Sequence, residues 1–324
     1  MNSPETRNGE TASGAPTKKV PNLFIVGAPR CGTTSLHNYI AQHPECYMSR
    51  LKEPGYFSRH RVRESIRGAN PSVWTYDWYL SLFADAKPNH LIVGESSTSY
   101  LRDEAALAEI QSKIHDPRII AMVRDPVKLI SSYYHFLQFS GWETAPTLEA
   151  AWRLQDERCA GRVDSASANR PDTLAYRNLA QLGAQTERLL QLFPRDRVLV
   201  LISDDLGACP DALGKRVQDF LGVNYDSSLE LRKDNSARAP HIKALSDVVK
   251  RPPAWLSAAR DRVKRTAGVR SLGIRTALDK LNVKKDSHSI DAHLVSELQT
   301  YFRPDVELLS EIVGQDLVTR WWSR

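Results

Sequence analysis

The chain has 324 residues, 41% hydrophobic and 25% charged, which is the balance of a soluble globular protein and ample for one large α/β domain. Its four cysteines form no CxxC pair, which excludes a cysteine-built zinc site and a disulfide framework and makes a reducing, cytoplasmic location the expectation. No apolar run approaches the ~18 residues of a membrane-spanning helix, and the net charge of +6, from 44 Lys+Arg and 38 Asp+Glu, points to an anionic partner without naming it.

Residues 1–20 are rich in Ser, Thr, Gly, Pro and Asn and lack the apolar core of a signal peptide, so they read as a disordered tail. From Pro21 onward apolar runs alternate with helical patterns, the signature of a central parallel sheet of about five strands flanked by helices, in one domain over 21–324. Strands are expected at Leu23–Val26, Glu45–Met48, Leu91–Val93, Arg118–Val123 and Arg197–Ile202. Helices are expected at Thr33–Gln42, Val127–Phe139, Thr173–Phe193 and Pro210–Leu221, the last ended by Gly222. The segment 250–285 carries eleven Lys and Arg against Asp261 and Asp279, and is expected to form a basic helical insertion near the acceptor side. His288–Trp322 returns to helical periodicity and should pack back on the core.

The first strand runs into Gly27-Ala28-Pro29-Arg30-Cys31-Gly32-Thr33-Thr34-Ser35. A strand, a glycine-bearing turn and a helix start bring backbone N–H groups and the helix dipole to one spot, which favours a phosphate-like group. The glycine spacing equals that of the nucleotide-binding loop GxxxxGK(S/T). However, Thr33 stands where that loop has its lysine, and the cation, Arg30, lies inside the turn. A second anion site is expected at Arg124, which ends a predicted parallel strand, with Ser132 eight residues on and about two helical turns along. Two such sites imply a ligand with two separated anionic groups.

Together these motifs resemble the sulfotransferases that use 3′-phosphoadenosine 5′-phosphosulfate (PAPS), in the bacterial branch related to heparan-sulfate and other carbohydrate sulfotransferases. In that family a loop of the type PRxGTT(S/T)L binds the 5′-phosphosulfate, and an Arg with a Ser eight residues on binds the 3′-phosphate. Pro29–Leu36, Arg124 and Ser132 match. Lys52-Glu53-Pro54-Gly55-Tyr56-Phe57 resembles the family's KEPHFF-type segment, and Gly94–Tyr100 its GExSPxY turn. Asp219–Val223 and Val306–Leu317 resemble later elements. The chain departs from its relatives at Arg30, where many have Lys, at Ser96, where the heparan branch has Lys, and at Gly55, often His.

The resemblance implies transfer of a sulfuryl group from PAPS to a hydroxyl of a carbohydrate, glycolipid or secondary-metabolite acceptor, without a metal or a nucleic-acid partner. Arg30, Cys31, Gly32, Thr33, Thr34, Ser35, Arg124, Ser132 and Arg238 are the expected nucleotide-binding residues. Arg30 and Lys52 are expected to stabilise charge, and Glu53 to act as general base, with Glu95 as its rival. His135 is expected to be structural. Lys233-Asp234-Asn235 would close over the nucleotide with Arg238. The aromatic stretch Trp74–Tyr79 is expected to be a buried helix face rather than an acceptor wall. Two other classes stay open: a kinase using ATP and magnesium, and a membrane- or nucleic-acid-binding protein built on 250–285. For that segment a solvated face beside the acceptor cleft is the first expectation and contact with an anionic membrane the second.

Overall fold

The strands Leu23–Gly27, Arg118–Val123 and Val198–Ile202 are short and almost wholly apolar, as strands covered on both faces must be. The computed structural model describes residues 19–61, 74–162, 171–232, 239–240, 283–284 and 290–323. β1 is Leu23–Gly27, followed by α1, Thr33–Ile40, and β2, Cys46–Met48. A short 3₁₀ stretch at Tyr56–Arg61 precedes α2, Tyr76–Ser81, and β3, Ile92–Ser96. α3, Glu104–Lys113, leads to β4, Arg118–Val123, and α4, Pro126–Ser140. Four helices follow: α5 (Leu148–Arg153), α6 (Gln155–Cys159), α7 (Tyr176–Ala180) and α8 (Leu182–Leu192). β5, Val198–Ile202, precedes α9, Asp205–Ala208, and α10, Pro210–Leu221. Two-residue strands β6 (Ala239–Pro240) and β7 (Val283–Lys284) pair antiparallel, and α11 (Ala292–Val313) and α12 (Leu317–Trp322) end the chain.

The five long strands are all parallel in the order β2-β3-β1-β4-β5. The crossover from β1 to β2 runs one way across the sheet and that from β3 to β4 the other. Right-handed connections therefore place α1 and α3 on opposite faces. α8 and α11 join α3's face, and α10 packs on α1 through Tyr39, whose hydroxyl receives Gln218 Nε2 at 2.5 Å. The loops after β1, β3 and β4 all leave the carboxyl edge at the switch in strand order, where open α/β sheets bind ligands.

Three expectations need correction. The third strand lies at Ile92–Ser96, not Leu91–Val93, because Gly94, Glu95 and Ser96 pair with Leu23, Phe24 and Ile25 of β1. Glu95 is thus inside a strand. The helix expected at Thr173–Phe193 is broken into a 3₁₀ turn at Pro171–Leu174, α7 and α8. Its last piece starts afresh because Asp305 of α11 accepts from the N–H groups of Gly183 and Ala184, both at 2.9 Å. The terminal helical run is divided by Gly314, whose φ is +68°. It does pack on the core, burying Leu294, Leu298, Phe302, Val306 and Leu309. The basic segment 250–285 lies outside the described residues apart from β7.

Candidate active site

The turn between β1 and α1 is shaped by its backbone. Ala28 N–H donates to Met122 O of β4 (2.7 Å) and Cys31 N–H to Ala28 O (3.3 Å). Gly32 has φ +90°, and a Cβ there would come within 2.2 Å of Leu206 Cδ1, so glycine is required for both reasons. α1 starts from Gly32 with no side-chain cap, which leaves its N-terminal dipole facing the carboxyl edge. Thr33 and Ser35 are buried and Thr34 is half-buried. The Cys31 side chain is buried beneath the turn, and burial above all pushes its thiol up to about 12.

The Arg30 side chain crosses to α4. Its Nε donates to Ser132 Oγ (3.1 Å), and its guanidinium lies over the Phe136 ring, 5.5 Å from the centroid. Arg124, just past β4, donates through Nη1 to the Arg30 carbonyl (2.9 Å). Arg124 and Ser132, read from the sequence as a pair, therefore meet through Arg30. Burial, and then the neighbouring Arg124 charge, lowers the Arg30 pKa. Two cations near enough for one charge to act on the other favour an anion close by. Asp125 caps α4 by accepting from Val127 N–H (2.9 Å), and Trp322 of α12 donates to the same oxygen (3.3 Å).

The Lys52–Gly55 segment lies over the end of β3. Glu53 N–H donates to Ser96 O (2.9 Å). Its carboxylate receives Lys52 Nζ (3.0 Å), Thr98 N–H (2.8 Å) and the Thr98 hydroxyl (3.1 Å). The Thr98 carbonyl in turn lies 3.2 Å from where a Cβ on Gly27 would sit, so this segment and the anion loop are neighbours. The two carboxylates read as rival bases differ in access. The Glu53 side chain is 43% exposed, whereas Glu95 is 0% exposed. Glu95 receives the hydroxyls of Tyr79 (3.0 Å), Tyr100 (2.8 Å) and Ser97 (2.6 Å). Burial raises its pKa to about 7 against the pull of those hydrogen bonds. Glu95 is thus closed off from the surface, whereas Glu53 is open to it.

His37 was missed in the sequence. It follows Thr33 by one helical turn on α1, and its Nδ1 lies 2.8 Å from Ser96 Oγ. Burial, and next the Lys52 charge, lowers its pKa to about 4. Phe136 was missed too, although it follows Ser132 at the same spacing. Those i, i+4 positions were the available signal. His135 is half-buried with its ring edge-on to Tyr134. In Trp74–Tyr79, Tyr79 is buried and stacks on Tyr56 at 4.8 Å, Tyr76 and Trp78 are half-buried against the core, and Thr75 and Asp77 are exposed. Lys233, Asp234, Asn235 and Arg238 lie outside the described residues. A polar cavity of about 440 Å³ runs from Ser35 along α1, past Asn38 and Gln42, to Ser228 and Arg232 beyond α10.

The sequence model for the sulfotransferase family matches residues 21–227. The chain belongs to the sulfotransferase family. This sulfotransferase chain is 31% identical to human carbohydrate sulfotransferase 15 over 157 residues, 36% of this chain and 27% of that protein. It is 29% identical to human heparan sulfate glucosamine 3-O-sulfotransferase 3B1 over 218 residues, 65% of this chain and 48% of that protein. The match thus spans less than half the length of either relative. The crystal structure of a sulfotransferase from Alicyclobacillus acidocaldarius superposes with a TM-score of 0.66 at 24% identity, covering 94% of this chain and 100% of that one, and shows the same fold.

Proposed function

We propose that the protein transfers a sulfuryl group from PAPS to a carbohydrate hydroxyl. The observation that carries the reading is the junction of Arg30, Arg124 and Ser132, which gathers two cations and a hydroxyl beside an uncapped helix start. That arrangement suits a nucleotide with phosphate groups on both sides of its ribose. The cavity leading from Ser35 is of a size for a nucleoside. The carbohydrate and heparan sulfate relatives support the acceptor class.

In the reaction an acceptor oxygen attacks sulfur in line. The new O–S bond forms as the bond from sulfur to the 5′-phosphate oxygen breaks, and that oxygen leaves with the electron pair. Arg30 and the N–H groups of the loop and of the first turn of α1 bear on the leaving phosphate, where charge grows. Lys52, anchored on Glu53, faces the same edge. Glu53 takes the acceptor's proton, since it is the exposed carboxylate beside the loop. Arg124 and Ser132 hold the 3′-phosphate, and the backbone of Cys31 rather than its thiol takes part. A cytoplasmic location goes with this reading, since four cysteines without a CxxC pair suit a reducing compartment.

Calorimetry with the 3′,5′-bisphosphate product (PAP) and with AMP tests it. PAP should bind far more tightly than AMP, and Arg124→Ala should remove about 1.5–3 kcal/mol of PAP binding, the usual contribution of a hydrogen bond to a charged group. Label from ³⁵S-PAPS should reach a saccharide fraction with EDTA present. Equal affinity for PAP and AMP would overturn the two-site reading.

A further inference from the structure

Glu53 sits in a turn that its own backbone disfavours. Its φ is +59° and that of Gly55 is +63°, with Pro54 between them. A non-glycine residue in the left-handed region persists where the surroundings over-determine it. Here three consecutive residues of the β3 exit do so. Ser96 accepts from the N–H of Glu53, Thr98 donates twice to its carboxylate, and Ser97 Oγ accepts from the N–H of Gly55 at 3.0 Å.

Ser97 has one hydroxyl proton, and Glu95 Oε2 takes it at 2.6 Å. With its proton committed, Ser97 presents only lone pairs to Gly55 N–H. Glu95 Oε1 also takes the hydroxyl protons of Tyr79 and Tyr100, and Tyr100 Oη accepts from Phe57 N–H (3.4 Å). Above its pKa of about 7 Glu95 is a carboxylate, which suits this place because it only accepts. A carboxamide would turn an N–H₂ either on the two tyrosines or on Ser97. In the second case the serine proton must swing away and compete with Gly55.

We propose that Glu95 is a positioning residue that fixes Glu53 through Ser97 and Gly55. The two carboxylates of the β3 edge are then partners, one sealed and orienting, the other exposed and reacting. This role rests on the reading of Glu53 as the base, but its test does not require turnover.

The experiment follows the Gly55 amide and the Glu53 side-chain carboxyl by NMR in the full chain with PAP bound. Ser97→Ala and Glu95→Leu should each speed hydrogen exchange at Gly55 by 10-fold or more and move the Glu53 carboxyl resonance. PAP affinity should stay within about 3-fold, which reports an intact nucleotide site. Ser97→Thr, which keeps the hydroxyl, should restore both signals. Should Ser97→Ala fail to fold, Ser97→Cys takes its place, since it keeps the size but is a weak acceptor. Unchanged Gly55 and Glu53 signals in Glu95→Leu, which removes the acceptor from Ser97 altogether, would overturn the relay. The base reading fails separately, if Glu53→Gln transfers label from ³⁵S-PAPS as fast as the wild type.

Discussion

Cys31 stands between Arg30 and Gly32 in a loop built for anions, a place where a thiolate would be drawn out by positive charge. Burial wins instead. The side chain is sealed, and the thiol rises to about 12 even though Arg124 and Arg30 pull the other way. A thiol that stays protonated is a poor nucleophile. Cys31→Ala should therefore leave PAP affinity within about 3-fold, and in the native protein a thiol reagent at pH 7.5 should reach the exposed Cys209 well before Cys31. Peptide mapping that finds Cys31 labelled first would refute this. The same contrast between charge and burial explains what was legible residue by residue. Arg30, Arg124 and Ser132 could be read from spacing, since Arg30 and Arg124 follow strand ends and Ser132 lies two turns into the next helix. The division of labour between Glu53 and Glu95 could not. It depends on Tyr79 and Tyr100 closing over one carboxylate, and those contacts join separate elements.

At the scale of elements, the anion loop is a junction of β1 and α1 held in place by a third element. Leu206 of α9 fills the space beside Gly32, at 2.2 Å from where a Cβ would lie. Gly32→Ala thus meets both a left-handed φ and an overlap. The expected loss is on the order of 1–3 kcal/mol for the strain, with more from the overlap, read as a lower urea midpoint. Leu206→Ala in the same chain should relieve the overlap and leave the strain. A Gly32→Ala protein with wild-type stability would show that the turn is looser than described. β1, β4 and β5 were legible from their apolar runs, and α4 and α10 from Pro at the first helical position and Gly at the end. The break before α8 was not, because the carboxylate that caps it, Asp305, lies 122 residues away in sequence. Hydrophobic spacing continues across Ala175 and Gln181, and only the tertiary contact ends one helix and begins the next.

The molecule as a whole places two buried titratable groups back to back across one strand end. Glu95 and Ser96 are consecutive in β3, and Ser96 meets His37 of α1. Their linkage to folding has opposite signs. Burial raises Glu95 from 4.5 to about 7, so the folded protein binds its proton more tightly than the unfolded chain. That contribution is fully present below pH 4.5 and is lost as the pH rises through about 7. Burial, and then Lys52, lowers His37 from 6.5 to about 4, so the folded protein resists protonation. Its contribution is present above pH 6.5 and is lost as the pH falls through about 4. Between about 4.5 and 6.5 the two slopes oppose each other. Glu95→Gln should uncover the histidine, giving a stability that climbs from pH 4 to 6.5 more steeply than in the wild type. His37→Gln should uncover the glutamate, giving a stability that falls from pH 4.5 to 7. Urea unfolding at half-unit steps from pH 4 to 7.5 measures both, with the wild type as reference so that other ionisable groups cancel. Curves for either variant that run parallel to the wild type would mean that the corresponding group titrates alike in the folded and unfolded chain, and the burial argument for it would fall.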